Sequence, residues 1–322
     1  MKTKILAVTL ARSGSKGIKE KNITNLCGHP LISYTIYAAQ KSKFISRYIV
    51  STDSKKFKTI CENYGAVVPF LRPKSLSEDH VWSRDALKHA VIKTEKFYKE
   101  KYDYIIELPA TAPLRSFKNI DKALQKLKKK KSDSVIGVCR VFDKNPIRIK
   151  KISGGQLKDY NYSLREGESS RRQDLPPCYV RNGSIYAMKR DLIVKKFSRK
   201  GRKSLPLVMN DYESINIDEH TDLLLAETLV KKGYSKNFPA SIFYERKIKF
   251  FGNGKKKVLV TYPYKIVEPV LRKMKLNKFK FIFCDQNNLK NINIKMKKQI
   301  VAWLTSTDGN LQIDNKIIMN FE

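Results

Sequence analysis

Long apolar runs are missing from this 322-residue chain, and none approaches the ~18 residues that a membrane-crossing helix needs. The N-terminal stretch MKTKILAVTLARSGSKG carries charge and a short apolar run but no small-residue cleavage site, so it reads as a strand and not as a signal peptide. No CxxC pair occurs. The five cysteines, Cys27, Cys61, Cys139, Cys178 and Cys284, are odd in number and widely spaced, which argues against a zinc site and for reduced thiols in a cytoplasm. Histidine is scarce, with His29, His80, His89 and His220 scattered, and no Ser–His–Asp or Cys–His signature stands out. The GxxxxGK[ST] and GxGxxG spacings are both absent. Acidic residues are few, 30 against 66 Lys and Arg, which gives a formal charge of +36. That excess is spread along the chain, and its densest patch, KLKKKK at 126–131, ends a helix-like segment where cations are at home. Nucleic acid is therefore not expected as the main partner, whereas anionic small substrates gain from the field.

What is present begins with a 41% hydrophobic content, enough for a proper core. Ile5 to Leu10 (ILAVTL) reads as a buried parallel strand that empties into a turn rich in Gly, Ser, Arg and Lys. Gly14 and Gly17 let the backbone approach a ligand, and Arg12, Lys16, Lys19 and Lys21 add cations where a polyphosphate would lie. An ordinary basic loop remains the other reading of the turn alone. Helical spacing follows at 30–42, then a strand at Arg47–Ser51, a helix from about Ser54 to Tyr64 stopped by Gly65, and a third short extended piece, Ala66–Phe70. Residues 83–98 read as helix, and Tyr104–Leu108 and Ser134–Val141 as strands. Strand-like CYV and IYAM flank Arg181–Ser184, and an acidic turn, Ser214–Asp222, precedes a helix from Leu223 to Lys231. Strands alternating with helices predict a mostly parallel α/β sheet, whose ligands sit beyond the strands' carboxyl ends.

Several blocks, taken in order, carry a resemblance. They are LARSGSKGIKEKN at 10–22, VSTD at 50–53, LRPKSLSED at 71–79, LPATAPLR at 108–115, RRQDLPPCYVRNGSIY at 171–186 and INIDEHTDLLLAE at 215–227. Residues 1 to about 235 thereby resemble the acylneuraminate cytidylyltransferase family, whose members activate sialic, legionaminic, pseudaminic and Kdo-type sugar acids. The resemblance implies a Rossmann-like fold of the nucleotide-diphospho-sugar transferase type and a homodimer with a dimerisation and sugar-binding insertion at about 141–178. It also implies dependence on Mg²⁺ (or Mn²⁺) and transfer of CMP from CTP to a nonulosonic acid. Carried over by position, Arg12, Ser15, Lys16 and Lys21 would hold the triphosphate, and Asn22, Arg72 and Ser83 the cytidine. Arg148 and Arg172 would meet the sugar's carboxylate, and Asp218 with Asn216 would hold the metal. Lys21, Arg12 and Asp218 are the residues expected to act on the reacting groups.

Two departures stand out. The family usually has Asp where this chain has Asn216, so the metal site loses one charge. Its fourth block often reads LQPTSPLR, and the Gln position, associated with the sugar, holds Pro109 here, which leaves the sugar's identity open. Local readings stay open beside these: Arg72 as a turn cap, Asp218 as a helix N-cap, Asp53 as a cap of the helix after it, and Arg115 as a loop anchor. Residues 236–257 read as a linker, with Gly252-Asn253-Gly254 as its signal. From 258 to 322 a shorter βαβ series follows, similar to the opening of a D-2-hydroxyacid dehydrogenase substrate-binding domain, without a nicotinamide loop or catalytic His. The function expected is CMP transfer to an acidic 2-keto-3-deoxy sugar in the cytoplasm. The alternatives are another sugar nucleotidyltransferase (CMP-Kdo type or UTP-using) and a silent nucleotide-binding scaffold.

Overall fold

The computed structural model describes residues 3–15, 17–142, 144–160, 171, 174–237 and 239, and beyond them the backbone of the strands within 249–314. In chain order the elements begin with β1 (Ile5–Leu10), the two-residue strands β2 (Asn25–Leu26) and β3 (His29–Pro30), α1 (Leu31–Lys41), β4 (Arg47–Ser51) and α2 (Lys55–Asn63). Next come α3 (Ser83–Tyr98), β5 (Tyr104–Glu107), α4 (Phe117–Lys129), β6 (Ser134–Val141), the hairpin β7 (Lys150–Ser153) and β8 (Gln156–Asp159), and β9 (Cys178–Lys189). The described globular part closes with α5 (Arg190–Val194), β10 (Ser204–Val208) and α6 (His220–Lys231). Farther on lie β11 (Lys249–Phe251), β12 (Lys256–Val260), β13 (Phe279–Phe283), β14 (Ile300–Thr307) and β15 (Asn310–Asp314).

The main sheet has the order β10-β6-β9-β5-β1-β4. Strand β1 is its hub, parallel to both β4 and β5. Its side chains alternate between two cores, as a strand covered on both faces requires. Ile5 and Ala7 pack with Ala38 of α1 and Ile120, Ala123 and Leu124 of α4. Leu6 and Val8 face the opposite way, onto Leu87, Ala90 and Val91 of α3 and Leu192 and Ile193 of α5. Local chemistry sets the helix ends. The Ser54 hydroxyl accepts the Phe57 N–H at the start of α2, and Gly65, with φ of 81°, ends that turn. Ser116 and Asn119 form a reciprocal capping box on α4, whose last turn carries Lys126, Lys128 and Lys129.

The short piece Ala66–Phe70 makes one isolated parallel bridge, Val67 to Ile49, with Leu71 bridging Thr52 just beyond it, and stops short of a full strand, since Pro69 has no N–H to give a ladder. Two expectations need correction. CYV and IYAM are not two strands around a turn but one strand, β9, with a bulge, its register on β6 jumping between Ile136 and Val138. Gly183 takes a φ of 66° there, and the Asn182 side chain accepts the Ser184 N–H at 3.1 Å, so the polar insertion bends the strand without ending it. Finally, α6 begins at His220 and not at Leu223, because Glu219 and Asp222 cap its first turn reciprocally.

Strand β9 runs antiparallel to both β5 and β6, which makes the sheet mixed yet mostly parallel. It therefore enters at the carboxyl ends of its neighbours and brings residues 181–186 to that rim. In the C-terminal region a second sheet has the order β11-β13-β12-β14-β15, with β12 parallel to β13 and β14 and antiparallel strands at both edges. Among the described residues no helix is long and apolar enough to cross a membrane.

Candidate active site

The turn after β1 is shaped by a few short-range ties. Ile18 is buried against Leu26, Leu31 and Ile217, which pins the turn to the segment before α6. A Cβ on Gly17 would lie 2.8 Å from the Asp218 carbonyl oxygen, so only glycine allows the two stretches to approach this closely. Asn22 donates from Nδ2 to the Arg12 carbonyl at 3.0 Å and closes the base of the turn. Asp53, beyond β4, does not cap α2, a role that Ser54 takes; it accepts the Ser13 N–H at 3.0 Å and the Ser13 hydroxyl at 2.6 Å.

Between this turn and the segment 76–83 lies a cleft of about 550 Å³. Arg12, Ser15, Lys21, Asn22, Arg72 and Ser83 all line it, so six of the seven positions expected to hold the nucleotide come together. Lys16, the seventh, lies outside the described residues. Arg72 is buried; its Nε donates to Ser77 at 2.9 Å and its Nη2 stands 3.9 Å from Asp53. Burial lowers its pKa, against the pull of Asp53. Two of the cations are held by carboxylates. Arg12 pairs with Asp79 at 2.8 Å, and Lys21 with Asp218 at 2.7 Å. An incoming polyphosphate would compete for both.

Asp218 and Asn216 lie beside this cleft without lining it, tied to its wall through Lys21. Asp218 is not the N-cap of α6, which is Glu219. Its Oδ1 takes Lys21, and its Oδ2 accepts the Asn216 amide at 2.5 Å. The Thr111 hydroxyl in turn donates to Asn216 Oδ1 at 2.6 Å, and the Ile217 N–H donates to the Thr111 carbonyl at 2.8 Å. Arg115 fixes the loop that carries Thr111. Fully buried, it donates from Nη1 to the carbonyls of Pro109 and Ser184, at 3.1 and 2.8 Å, and from Nη2 to the Thr35 hydroxyl at 2.8 Å. With no carboxylate beside it, burial pushes its pKa down to about 10. Asp222 is structural: it accepts the N–H groups of Asp218 and Glu219 at 2.9 Å.

A second cavity of about 330 Å³ adjoins the cleft and shares Leu10, Asn22 and Ser83 with it. Pro109, Thr111, Gly183 and Asn216 form part of its wall, together with four residues that sequence reasoning did not single out: Glu107, Arg181, Tyr186 and Arg199. Glu107 leaves one signal, an acid at the end of an apolar strand; Arg199 sits in a basic run, RKGRK, and leaves none. Arg148 lies in a one-turn helix, Pro146–Arg148, and lines neither cavity within a single copy. Arg172 falls outside the described residues. Among the described residues no group of three His, Cys, Asp or Glu side chains gathers where a metal ion would sit.

The cytidylyltransferase family model matches residues 6–226. The post-translational flagellin modification protein B of Campylobacter coli is 30% identical over 241 residues, which is 75% of this chain and 100% of that one. The CMP-N,N'-diacetyllegionaminic acid synthase of Legionella pneumophila is 34% identical over 237 residues, 71% of this chain and 97% of that one. The N-acylneuraminate cytidylyltransferase of Escherichia coli O18:K1:H7 is 33% identical over 237 residues, 72% of this chain and 53% of that one. Among solved structures, a CMP:2-keto-3-deoxy-manno-octonic acid synthetase complexed with CTP superposes with a TM-score of 0.53 at 15% identity, over 72% of this chain and 100% of that one, which bears on the fold alone.

Proposed function

Because the chain belongs to the cytidylyltransferase family, we propose that it transfers CMP from CTP to the anomeric hydroxyl of an acidic 2-keto-3-deoxy sugar of the nonulosonic type, releasing pyrophosphate. The observation that carries this reading is the pair of joined cavities. A cation-lined cleft the size of a nucleotide opens onto a second chamber at Leu10, Asn22 and Ser83. A CTP laid along the turn would point its α-phosphate at that junction, and a sugar acid in the second chamber would present its hydroxyl there.

The chemistry asks for positioning and charge neutralisation and little covalent work. The sugar's hydroxyl oxygen bonds to the α-phosphorus, the bond from that phosphorus to the bridging oxygen of the β-phosphate breaks, and the hydroxyl proton is lost to solvent or a base. Arg12, Ser15, Lys16 and Lys21 hold the triphosphate, Arg12 and Lys21 exchanging their carboxylate partners for phosphate oxygens. Asn22, Arg72 and Ser83 contact the cytidine, and Arg148 and Arg172 reach the sugar's carboxylate.

Mg²⁺, or Mn²⁺ in its place, fits the donors present. One carboxylate and one carboxamide oxygen beside a triphosphate suit an ion that takes one or two carboxylates and completes its shell with phosphate and water. Asp218 and Asn216 would hold it once Lys21 releases Asp218 and the Asn216 amide turns its oxygen toward the cleft. When bound, the ion supplies charge stabilisation at the α-phosphate and acidifies the attacking hydroxyl.

A homodimer is part of the reading. Ile152 and Leu157 are cross-strand partners on the β7–β8 hairpin and stand 80% and 72% exposed, an apolar pair suited to a second copy. The cytoplasm, where CTP is made, is the setting proposed. The test is pyrophosphate release with each of four nucleoside triphosphates against a panel of nonulosonic acids and Kdo. Signal is expected with CTP and nonulosonic acids; turnover with UTP, or with neutral sugar phosphates, overturns the assignment.

A further inference from the structure

Two basic runs that lie 70 residues apart in the chain meet at one end of the main sheet. The first, KLKKKK at 126–131, closes α4 and turns into β6; the second, RKGRK at 199–203, leads into β10. Parallel pairing of β10 on β6 sets Ser204 beside Ser134, and short bonds stitch together the residues before each strand. The Asp133 N–H donates to the Lys203 carbonyl at 2.8 Å, and the Lys203 N–H donates to Asp133 Oδ2 at 3.0 Å. The Gly201 N–H donates to the Ser134 hydroxyl at 3.2 Å. A Cβ on Gly201 would collide with the Asp133 side chain, so glycine lets the second run lie against the first.

The result is a patch that neither run makes alone. Lys128, Lys129, Lys130, Lys131, Arg202 and Lys203 are all exposed, and none forms an ion pair among the described residues. Asp133, the acid between the runs, does not relieve them. Its Oδ1 is taken by Lys189 at 2.8 Å, and Lys196 adds a further cation to the same field. The end of α4 accounts for the cations of its own last turn but not for Arg202 and Lys203, and like charges set this close repel. An anionic partner would remove that cost. Lysine supplies five of the six charges, as a point charge without the arginine fork that grips one particular phosphate. Neither run holds an aromatic residue on which a base could stack. A cluster of this size and composition is what the anionic face of a bilayer attracts. The placement suits it too. β6 and β10 begin at the patch, whereas the nucleotide cleft lies beyond the carboxyl end of β1, so the length of the eight-residue β6, about 25 Å, stands between them.

We propose that the joined runs form a docking surface for an anionic phospholipid bilayer, which holds the protein against the membrane face with its nucleotide cleft turned away. The inference needs neither CTP nor a sugar and stands apart from the CMP-transfer reading. The test is co-sedimentation of the full chain with phosphatidylcholine vesicles that contain or lack phosphatidylglycerol. The native protein should bind only the vesicles with phosphatidylglycerol, and rising salt should release it. Lys128→Glu, Lys129→Glu and Lys130→Glu together should weaken that binding at least tenfold, and so should Arg202→Glu with Lys203→Glu. As a control, Lys55→Glu, Lys93→Glu and Lys118→Glu change the charge as much as the first set, at three exposed lysines elsewhere, and should weaken it less than threefold. Each variant should melt within a few degrees of the native protein, which separates lost binding from lost folding. Equal loss in the control assigns the attraction to net charge, and loss from one run alone reduces the patch to a single basic turn; either outcome overturns the inference. It is overturned too by a native protein that ignores phosphatidylglycerol, or by single-stranded RNA held through the same lysines more tightly than the vesicles.

Discussion

Lys21 and Asn216 show what single side chains decide here. Lys21 is held by Asp218 at 2.7 Å and is largely shielded, so on the proposed reading a phosphate would meet it already aimed and partly dehydrated. A charge-assisted contact of this kind contributes about 1.5–3 kcal/mol. Lys21→Met is therefore expected to lower kcat/KM for CTP roughly tenfold to a few hundredfold, measured by pyrophosphate release, and a loss under threefold removes Lys21 from the nucleotide site. Asn216 donates to Asp218 at 2.5 Å, a bond that an aspartate could not make. Asn216→Asp sets two carboxylates face to face, which repel without a cation and attract one when it is supplied. The variant should melt lower than the native protein in chelator, and should reach half of its Mg²⁺-induced thermal shift at several-fold lower Mg²⁺. An unchanged Mg²⁺ titration would separate this position from the metal.

At the scale of elements, the loop after β5 is held to the β9 bulge by one residue. Arg115 satisfies the Ser184 carbonyl and the Thr35 hydroxyl, both away from solvent, and the part-buried Pro109 carbonyl. Arg115→Met leaves the buried Ser184 carbonyl without this donor and reduces Thr35 and Pro109 to the 3.3 Å bond between them, at about 1–3 kcal/mol for a fully buried unmatched group, so a loss of about 3 kcal/mol is expected. In a chain of this size that corresponds to a melting point lowered by roughly 6–12 °C, read by calorimetry; a shift under 2 °C would mean that the anchor is not needed. Strands β1, β4 and β6 were legible from their apolar runs because buried parallel strands have little polar interruption. Strand β9 was not, since Arg181–Ser184 reads as a turn until a neighbouring strand absorbs it as a bulge. The glycine-rich basic turn after β1 was legible as a turn because its glycines and cations are contiguous. Glu107 and Arg199 stand 92 residues apart, and no local pattern announces that they meet.

For the whole molecule, the formal charge of +36 has no single stripe to gather on, which suits attraction of a small polyanion better than docking along a nucleic acid. Assembly should depend instead on the exposed apolar pair of the hairpin. On the proposed dimer, Ile152→Glu combined with Leu157→Lys is expected to give a monomer in sedimentation equilibrium; a variant still dimeric would move the interface elsewhere, and a monomeric native protein would overturn the dimer. The base of that arm has a further consequence. Val141 and Cys178 are ladder partners, so the described stretches between them, 144–160 and 174–177, hang from the sheet at one residue pair. A segment tethered in this way should be exchangeable as a cassette without reordering a strand of the body. Grafting a foreign arm onto this pair should transplant the donor's subunit pairing while the host keeps its own nucleotide.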